Sequence, residues 1–323
     1  MTRIEQLFDQ LGYTRENGLF YLSESDIWLN KFPFRISKVL RDVIRPFAFY
    51  SLHHHGDEYS EHPEPINNPI ILFFDKPNEE KTKEIPKWTF CFGQAPVVII
   101  NTDDYAPLDI YHGYKFESDH SYLLKSLHTD INIFSLINLT LGKTWKNLYE
   151  KHFKNVPKVD KYLLKNIIDA RRILVASDGF QLPPEIANRL IGRLLFVRYL
   201  IDRQVEFTGQ QYLIGDDKIS RQESLNELIK SKEALYSFFD YLNSKHSGDL
   251  FPLKEEDVDF ETGEIHIFND EKEQVTDEHL EVLYYLFSGS SFFKNGSQYK
   301  GYSVQKSLFM VYDFEIIPVE LIS

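Results

Sequence analysis

The spacing of apolar residues changes part-way along this chain, and that change predicts two kinds of architecture. Ile4 to Leu11 reads as a short amphipathic helix stopped by Gly12. Leu19 to Leu22 reads as a strand, and Arg35 to Arg45 as a helix ended by Pro46. From Ile70 onward, short apolar runs bounded by Pro, Gly, Asn and Asp predict strands at Ile70–Phe74, Trp88–Phe92, Val97–Ile100 and Leu108–Tyr111. Two of the runs are continuous rather than alternating, the pattern of strands covered on both faces. The polar stretch Glu79–Pro86 reads as a loop.

After Asp160 the period shifts from two to 3.6. Asp160 caps a helix running to about Ala176, and Pro183 and Pro184 open another through Arg203. Ser220-Arg221-Gln222-Glu223 has the form of a capping box, followed by one long helix through Leu242 with Leu225, Leu228, Leu235, Phe238 and Leu242 inward. Thr262-Gly263, inside Asp257–Phe268, predicts a β-hairpin inserted among the helices. Thr276 caps a last helix through Phe287, with Gly289 past its end and a glycine–serine loop over Ser288–Gly301. The fold class is therefore α+β. Residues 1–157 form an α/β domain around a central mixed sheet, and residues 158–323 a mostly helical domain, with the boundary near Asn155 to Asp160.

At 323 residues the chain is long enough for two domains, and 26 Phe and 19 Tyr describe a folded protein with a sizeable core. No stretch approaches the roughly 18 apolar residues of a membrane span, so a membrane is not among the expected partners. Met1 to Gln10 lacks the basic and apolar regions of a secretory signal, and a lone cysteine, Cys91, fits a reducing compartment; the expectation is cytoplasmic. A net charge of −13 repels the chain as a whole from nucleic acid and argues against a stand-alone DNA-binding role.

Four stretches resemble large adenine-specific DNA methyltransferases of restriction–modification systems, the single-chain type IIG-like kind. They are Asn188–Arg193 with Phe196–Arg203, Gly248–Leu253, Gln305–Phe309, and the run Tyr312-Asp313-Phe314-Glu315-Ile316-Ile317-Pro318-Val319-Glu320-Leu321-Ile322-Ser323. They occur in the family's order, and the resemblance is strongest from about Asp160. In that family the last run lies just ahead of the catalytic domain. The resemblance therefore implies a region that docks on a methyltransferase domain and reaches DNA through it. S-adenosylmethionine would be the cofactor of the parent enzyme and none would bind this chain. Asp313–Ile317 reads as a strand or extended lead-in. Pro318 then sits where a first helical residue belongs, and Val319, Leu321 and Ile322 begin an apolar face with only one turn to follow. The reading is a chain cut before its catalytic domain, with Phe309, Tyr312, Phe314, Pro318 and Leu321 as docking residues awaiting cover.

Several motifs carry part of the spelling of known chemistry. Adenine methylation needs an Asn/Asp-Pro-Pro-aromatic tetrapeptide to accept the amino hydrogens and stack on a flipped base. Asn68-Pro69-Ile70-Ile71 lacks the second proline and the ring, and no glycine-rich turn for S-adenosylmethionine is present, so no catalytic residues are assigned. Glu79-Glu80-Lys81, with Asp57 or Asp75 upstream, has the spelling of a Mg²⁺ nuclease. Its place in a loop, and strands without carboxylates, point to a degenerate nuclease-like or scaffolding front domain. Leu141-Gly142-Lys143-Thr144 ends like a phosphate loop, but Ile137 stands where its first glycine belongs, which leaves a turn before the helix containing Trp145. His53-His54-His55 with Asp57 and His62 alternates faces and cannot converge on zinc, so no metal is expected.

The remaining constellation is a set of arginines. Arg189, Arg193 and Arg203 fall within roughly 80° on a helix, with Arg198 opposite and Arg171 and Arg172 ending the preceding helix. They suit phosphates or a partner's carboxylates. The competing reading is internal pairing with Asp169, Asp202, Glu185 or others of the 49 acidic residues. The rival functions are an interaction or scaffold protein without DNA chemistry, and an active Mg²⁺ nuclease.

Overall fold

The computed structural model describes residues 2–52, 68–117, 123–154, 156–205, 211–245, 254–258, 265–289 and 309–317. The histidine cluster, the Thr262-Gly263 turn, most of the Ser288–Gly301 loop, and Pro318 and Leu321 lie outside them. The chain divides into two compact units, residues 1–160 and 161–323. Together they are α+β: a mixed six-stranded sheet accompanied by many helices.

The first unit begins with α1 (Arg3–Leu11), held at its start by a Thr2–Glu5 capping box and ended by Gly12 at φ 78. The sheet runs β1 (Leu19–Tyr21), β2 (Ala48–Tyr50), β3 (Ile71–Asp75), β4 (Val97–Asn101), β5 (Asp109–Phe116) and β6 (Leu124–Ser126), in that spatial order. All neighbours are antiparallel except β3 and β4, which pair parallel from Ile71 opposite Val97 to Asp75 opposite Asn101. Ile71, Phe73, Val97 and Ile99 pack with Ile4, Leu7, Phe8 and Leu11 of α1, while Leu72, Phe74, Val98 and Ile100 are buried as well. Burial on both faces accounts for the continuous apolar runs of β3 and β4.

Between β1 and β2, the helix α2 (Phe34–Lys38) continues as a wider π turn, Val39–Ile44. It stops at Arg45, at φ 50, before Pro46. Parallel strands cannot be joined by a tight turn. The link from β3 to β4 is accordingly a helix, α3 (Glu79–Phe92), and here the sequence reading is corrected twice. Glu79–Pro86 is not a loop and Trp88–Phe92 is not a strand; they belong to one helix that buries Ile85 and then Thr89 to Phe92. Asn78 caps it by accepting from the Lys81 N–H at 2.8 Å, Gly93 ends it at φ 60, and Pro86 lies inside it. Pro86 and the β-prone run Trp-Thr-Phe-Cys-Phe disguised it. Further on, Gly142 at φ 69 makes the turn into α4 (Lys143–Leu148), which contains Trp145.

The helix α5 (Val159–Val175) crosses from the first unit into the second. Then follow α6 (Pro184–Asp202), α7 (Lys218–Ile229), α8 (Lys232–Lys245), an antiparallel pair β7 (Lys254–Val258) and β8 (Ile265–Asp270), and α9 (Asp277–Ser288). The single long helix expected through Leu242 is two. Asp217, not Ser220, is the first cap, accepting from the Ser220 N–H at 3.0 Å, and Ser231 restarts the second by accepting from the Ala234 N–H at 3.3 Å. Thr276 forms a capping box with His279 as its third residue.

Candidate functional site

The helix α6 carries most of the arginines singled out from the sequence. Ile186, Ala187, Leu190, Ile191, Leu194, Leu195, Val197 and Ile201 are buried around most of its circumference, and so are Arg193, Arg198 and Asp202. A guanidinium survives burial only when paired and hydrogen-bonded. Arg193 donates to Glu271 Oε1 at 2.5 Å, and the Tyr236 hydroxyl donates to the same oxygen at 3.0 Å. The Arg193 guanidinium also lies 5.5 Å from the Phe239 ring centre. This pairing removes Arg193 from the set of arginines offered to DNA or a partner, because its charge is spent inside the fold.

Arg198 donates from Nε to Asp202 Oδ1 at 2.9 Å, one helical turn on. Its Nη2 donates to the carbonyl oxygens of Phe309 and Tyr312 at 3.4 and 3.3 Å. Asp202 accepts from Gln222 Nε2 at 2.5 Å and, through Oδ2, from the Phe314 N–H at 3.0 Å. Arg203 donates to the Phe314 carbonyl at 2.9 Å. The segment 309–317 is thus held by its main chain along the last turns of α6. Lys218 adds side-chain contacts, 2.8 Å to Asp313 and 3.4 Å to Glu315. Burial pulls the Lys218 ammonium down, but Asp313, then Asp202 and Glu315, outweigh it, so its pKa stands above the ordinary lysine value.

These contacts correct two expectations about the end of the chain. Asp313–Ile317 is not a strand but a tight turn, with the N–H groups of Ile316 and Ile317 both donating to the Asp313 carbonyl. Phe309, Tyr312 and Phe314 are fully buried within the chain itself and offer no surface that awaits cover. Phe309 meets Phe287, Tyr312 and Phe314 at ring separations of 4.8, 5.1 and 6.5 Å, and the Tyr312 hydroxyl donates to Asn166 at 2.8 Å.

Of the other arginines, Arg171 donates to Asn188 Oδ1 at 2.7 Å, and Arg172 lies 3.8 Å from Asp169 with half of its side chain exposed. Arg189 is half-buried on the outer side of α6. The structure does not gather all five into one cluster: Arg193 is buried, and Arg203 is engaged by the segment 309–317. Pairing within the helix was visible as Arg198 four residues before Asp202. Glu271, Tyr236 and Lys218 were not, because nothing local in sequence ties them to α6.

In the first unit, Glu79 and Glu80 fall in the first turn of α3, where the helix dipole favours them. Glu79 pairs with Lys83 at 2.7 Å, while Lys81 donates to the Arg45 carbonyl at 2.5 Å. Asp75, at the end of β3, accepts from Asn101 at 2.7 Å. Among the described residues no group of three or more His, Cys, Asp or Glu is arranged to hold a metal, and no helix is long and apolar enough to cross a membrane. The chain matches no family model, no curated protein and no solved structure.

Proposed function

We propose that this chain is the non-catalytic N-terminal region of a DNA adenine-N6 methyltransferase of a restriction–modification or phage-defence system. One observation carries the reading: three of the stretches that resemble that family form a single hydrogen-bonded unit. Arg198, Asp202 and Arg203, in Phe196–Arg203, hold the main chain of Phe309, Tyr312 and Phe314. In the family the last of these stretches leads into the catalytic domain. The second unit is then the connector that sets where that domain sits, and the S-adenosylmethionine site and the adenine pocket belong to the domain, not to this chain. DNA is reached through that domain, in keeping with a net charge of −13 here.

The test is the gene itself, read beyond codon 323, followed by assay of its full product for methyl transfer from S-adenosylmethionine to adenine. A methyltransferase in the same frame, or encoded beside it and copurifying, is the expected result. A stop codon with no such gene adjacent, or a product without methyl transfer, refutes the proposal.

A further inference from the structure

The first unit holds a cavity of about 380 Å³ where α1 lies against the start of β5 and the chain beyond β6. Its helical side follows from spacing. Arg3, Gln6, Leu7 and Gln10 recur at intervals of three and four, on one stripe of α1 beside the face that packs on the sheet. The other side follows from the strands. The Leu127 N–H donates to the Ile110 carbonyl at 2.8 Å, and past that bond the two segments continue to Leu108 and to Thr129 and Ile131. Leu7, Leu108, Ile110 and Ile131 make the wall aliphatic, and Arg3, Gln6, Gln10 and Thr129 supply its polar groups. A cavity of this size, with apolar walls and a few polar groups, has the make-up of a small-molecule site.

Most of this polar chemistry has no partner in the fold. Arg3 donates from Nη1 to the carbonyl oxygens of Asp103, at 2.8 Å, and Ala106, which pins the guanidinium in place. Its Nε and Nη2 bond to no described residue, and no described carboxylate pairs with it, in a chain whose net charge is −13. Asp104, whose carboxylate feels that charge, is already paired with Lys76 at 2.5 Å. Gln10 donates to Asn132 Oδ1 at 2.9 Å and keeps its own oxygen open, while the side chains of Gln6 and Thr129 bond to no described residue. A guanidinium anchored by one nitrogen, with its Nε–Nη2 edge open, is set to take a carboxylate through two parallel bonds. A phosphate ester would bring about 1.5–2 charges to a cavity lined by a single cationic residue. We propose that this cavity binds a small organic acid. Its carboxylate would sit on Arg3, its aliphatic body against Leu7, Leu108, Ile110 and Ile131, and an amide or hydroxyl within reach of Gln6, Gln10 and Thr129. The proposal does not rest on the methyltransferase reading.

The experiment is calorimetric titration of the full chain at pH 7 with N-acetyl-leucine and N-acetyl-methionine, which join a carboxylate, an amide and an apolar side chain in one small molecule. At least one should bind with a dissociation constant below about 1 mM. N-acetyl-leucinamide keeps the body and loses the charge, and should bind at least about tenfold more weakly than N-acetyl-leucine. Arg3→Gln should cost the acid a similar factor and leave the amide unchanged. Because Arg3 also ties down the Asp103 and Ala106 carbonyls, Gln6→Trp is the second variant. Gln6 is exposed and holds nothing in place, so an indole there fills the cavity, removes binding of the acid and leaves the circular dichroism spectrum as it was. Four results would overturn the proposal: no heat from either acid up to about 10 mM, an amide bound as tightly as its acid, inorganic phosphate bound more tightly than both acids, or binding indifferent to both Arg3→Gln and Gln6→Trp.

Discussion

Replacing Arg193 by methionine removes a guanidinium that has no route to water. Its side chain is 0% exposed and that of its partner Glu271 is 2%. What remains is a carboxylate held by the Tyr236 hydroxyl, with its second oxygen, Oε2, already buried without a hydrogen-bond partner. Breaking one side of a buried pair costs about 3–5 kcal/mol, because the surviving charge is left in a medium that cannot solvate it. The whole pair is worth far less. Its Coulombic gain is set against the desolvation of two ions, and here one lone pair is unsatisfied from the outset. Arg193→Met with Glu271→Leu together should therefore cost less than either change alone, and come out near neutral. The assay is urea denaturation followed by far-ultraviolet circular dichroism, which weighs the helices of the second unit. Tryptophan fluorescence serves as an internal control, because Trp28, Trp88 and Trp145 all belong to the first unit. A cost under about 1 kcal/mol for Arg193→Met, or a double variant that loses the sum of the singles, would show that the pair is not the closed, buried unit described.

Three further outcomes follow from the same structure. His112 is buried, with Nδ1 accepting from the Tyr114 N–H and Nε2 against the His152 carbonyl, and burial pulls its pKa down to about 4. The unfolded chain takes up that proton below about 6.5 and the folded one does not, so stability is intact above 6.5 and falls by about 3 kcal/mol toward pH 4; denaturation followed by tryptophan fluorescence should show this slope, and His112→Gln should flatten it. Gly113→Ala should destabilise the sheet by about 1–3 kcal/mol in the same assay, since its Cβ would lie 1.9 Å from the Ala95 carbonyl oxygen. Calorimetry of this chain with S-adenosylmethionine should show no binding tighter than about 100 µM, and a tighter site would mean that a cofactor pocket exists where none was assigned.

What could be read from the sequence was whatever local chemistry decides. Gly12, Thr276 and Gly289 all act as helix ends, and α1, β3, β4, α6 and α9 lie close to where periodicity put them. What was misread is what distant parts of the chain decide. The run Trp88–Phe92 has strand composition but must be helix, because β3 and β4 are parallel and need a crossover between them. The gap between Asp75 and Val97 was long enough to signal it. Ala48–Tyr50 and Leu124–Ser126 are strands of three residues, too short to show a period, and they exist because a neighbouring strand pairs with them. At the candidate site the helix and the Arg198–Asp202 spacing were legible. The fate of Arg193 was not, since Glu271 lies 78 residues away and no motif joins them. Aromatic residues near the end of the chain looked like surface waiting for a partner, when α6 and α9 already enclose them.

The hold that α6 keeps on residues 309–314 is a grip on peptide groups. Three carbonyls and one N–H are taken by Arg198, Asp202 and Arg203, and none of those bonds involves a side chain of the held segment. Such a grip reads count rather than identity. Exchanging Met310, which is exposed, leaves every one of these bonds in place. Inserting or deleting a single residue between Phe309 and Phe314 would shift the carbonyls past their donors and strand two guanidiniums and a carboxylate at once. Over evolutionary drift this stretch should tolerate changes of letter and resist changes of length.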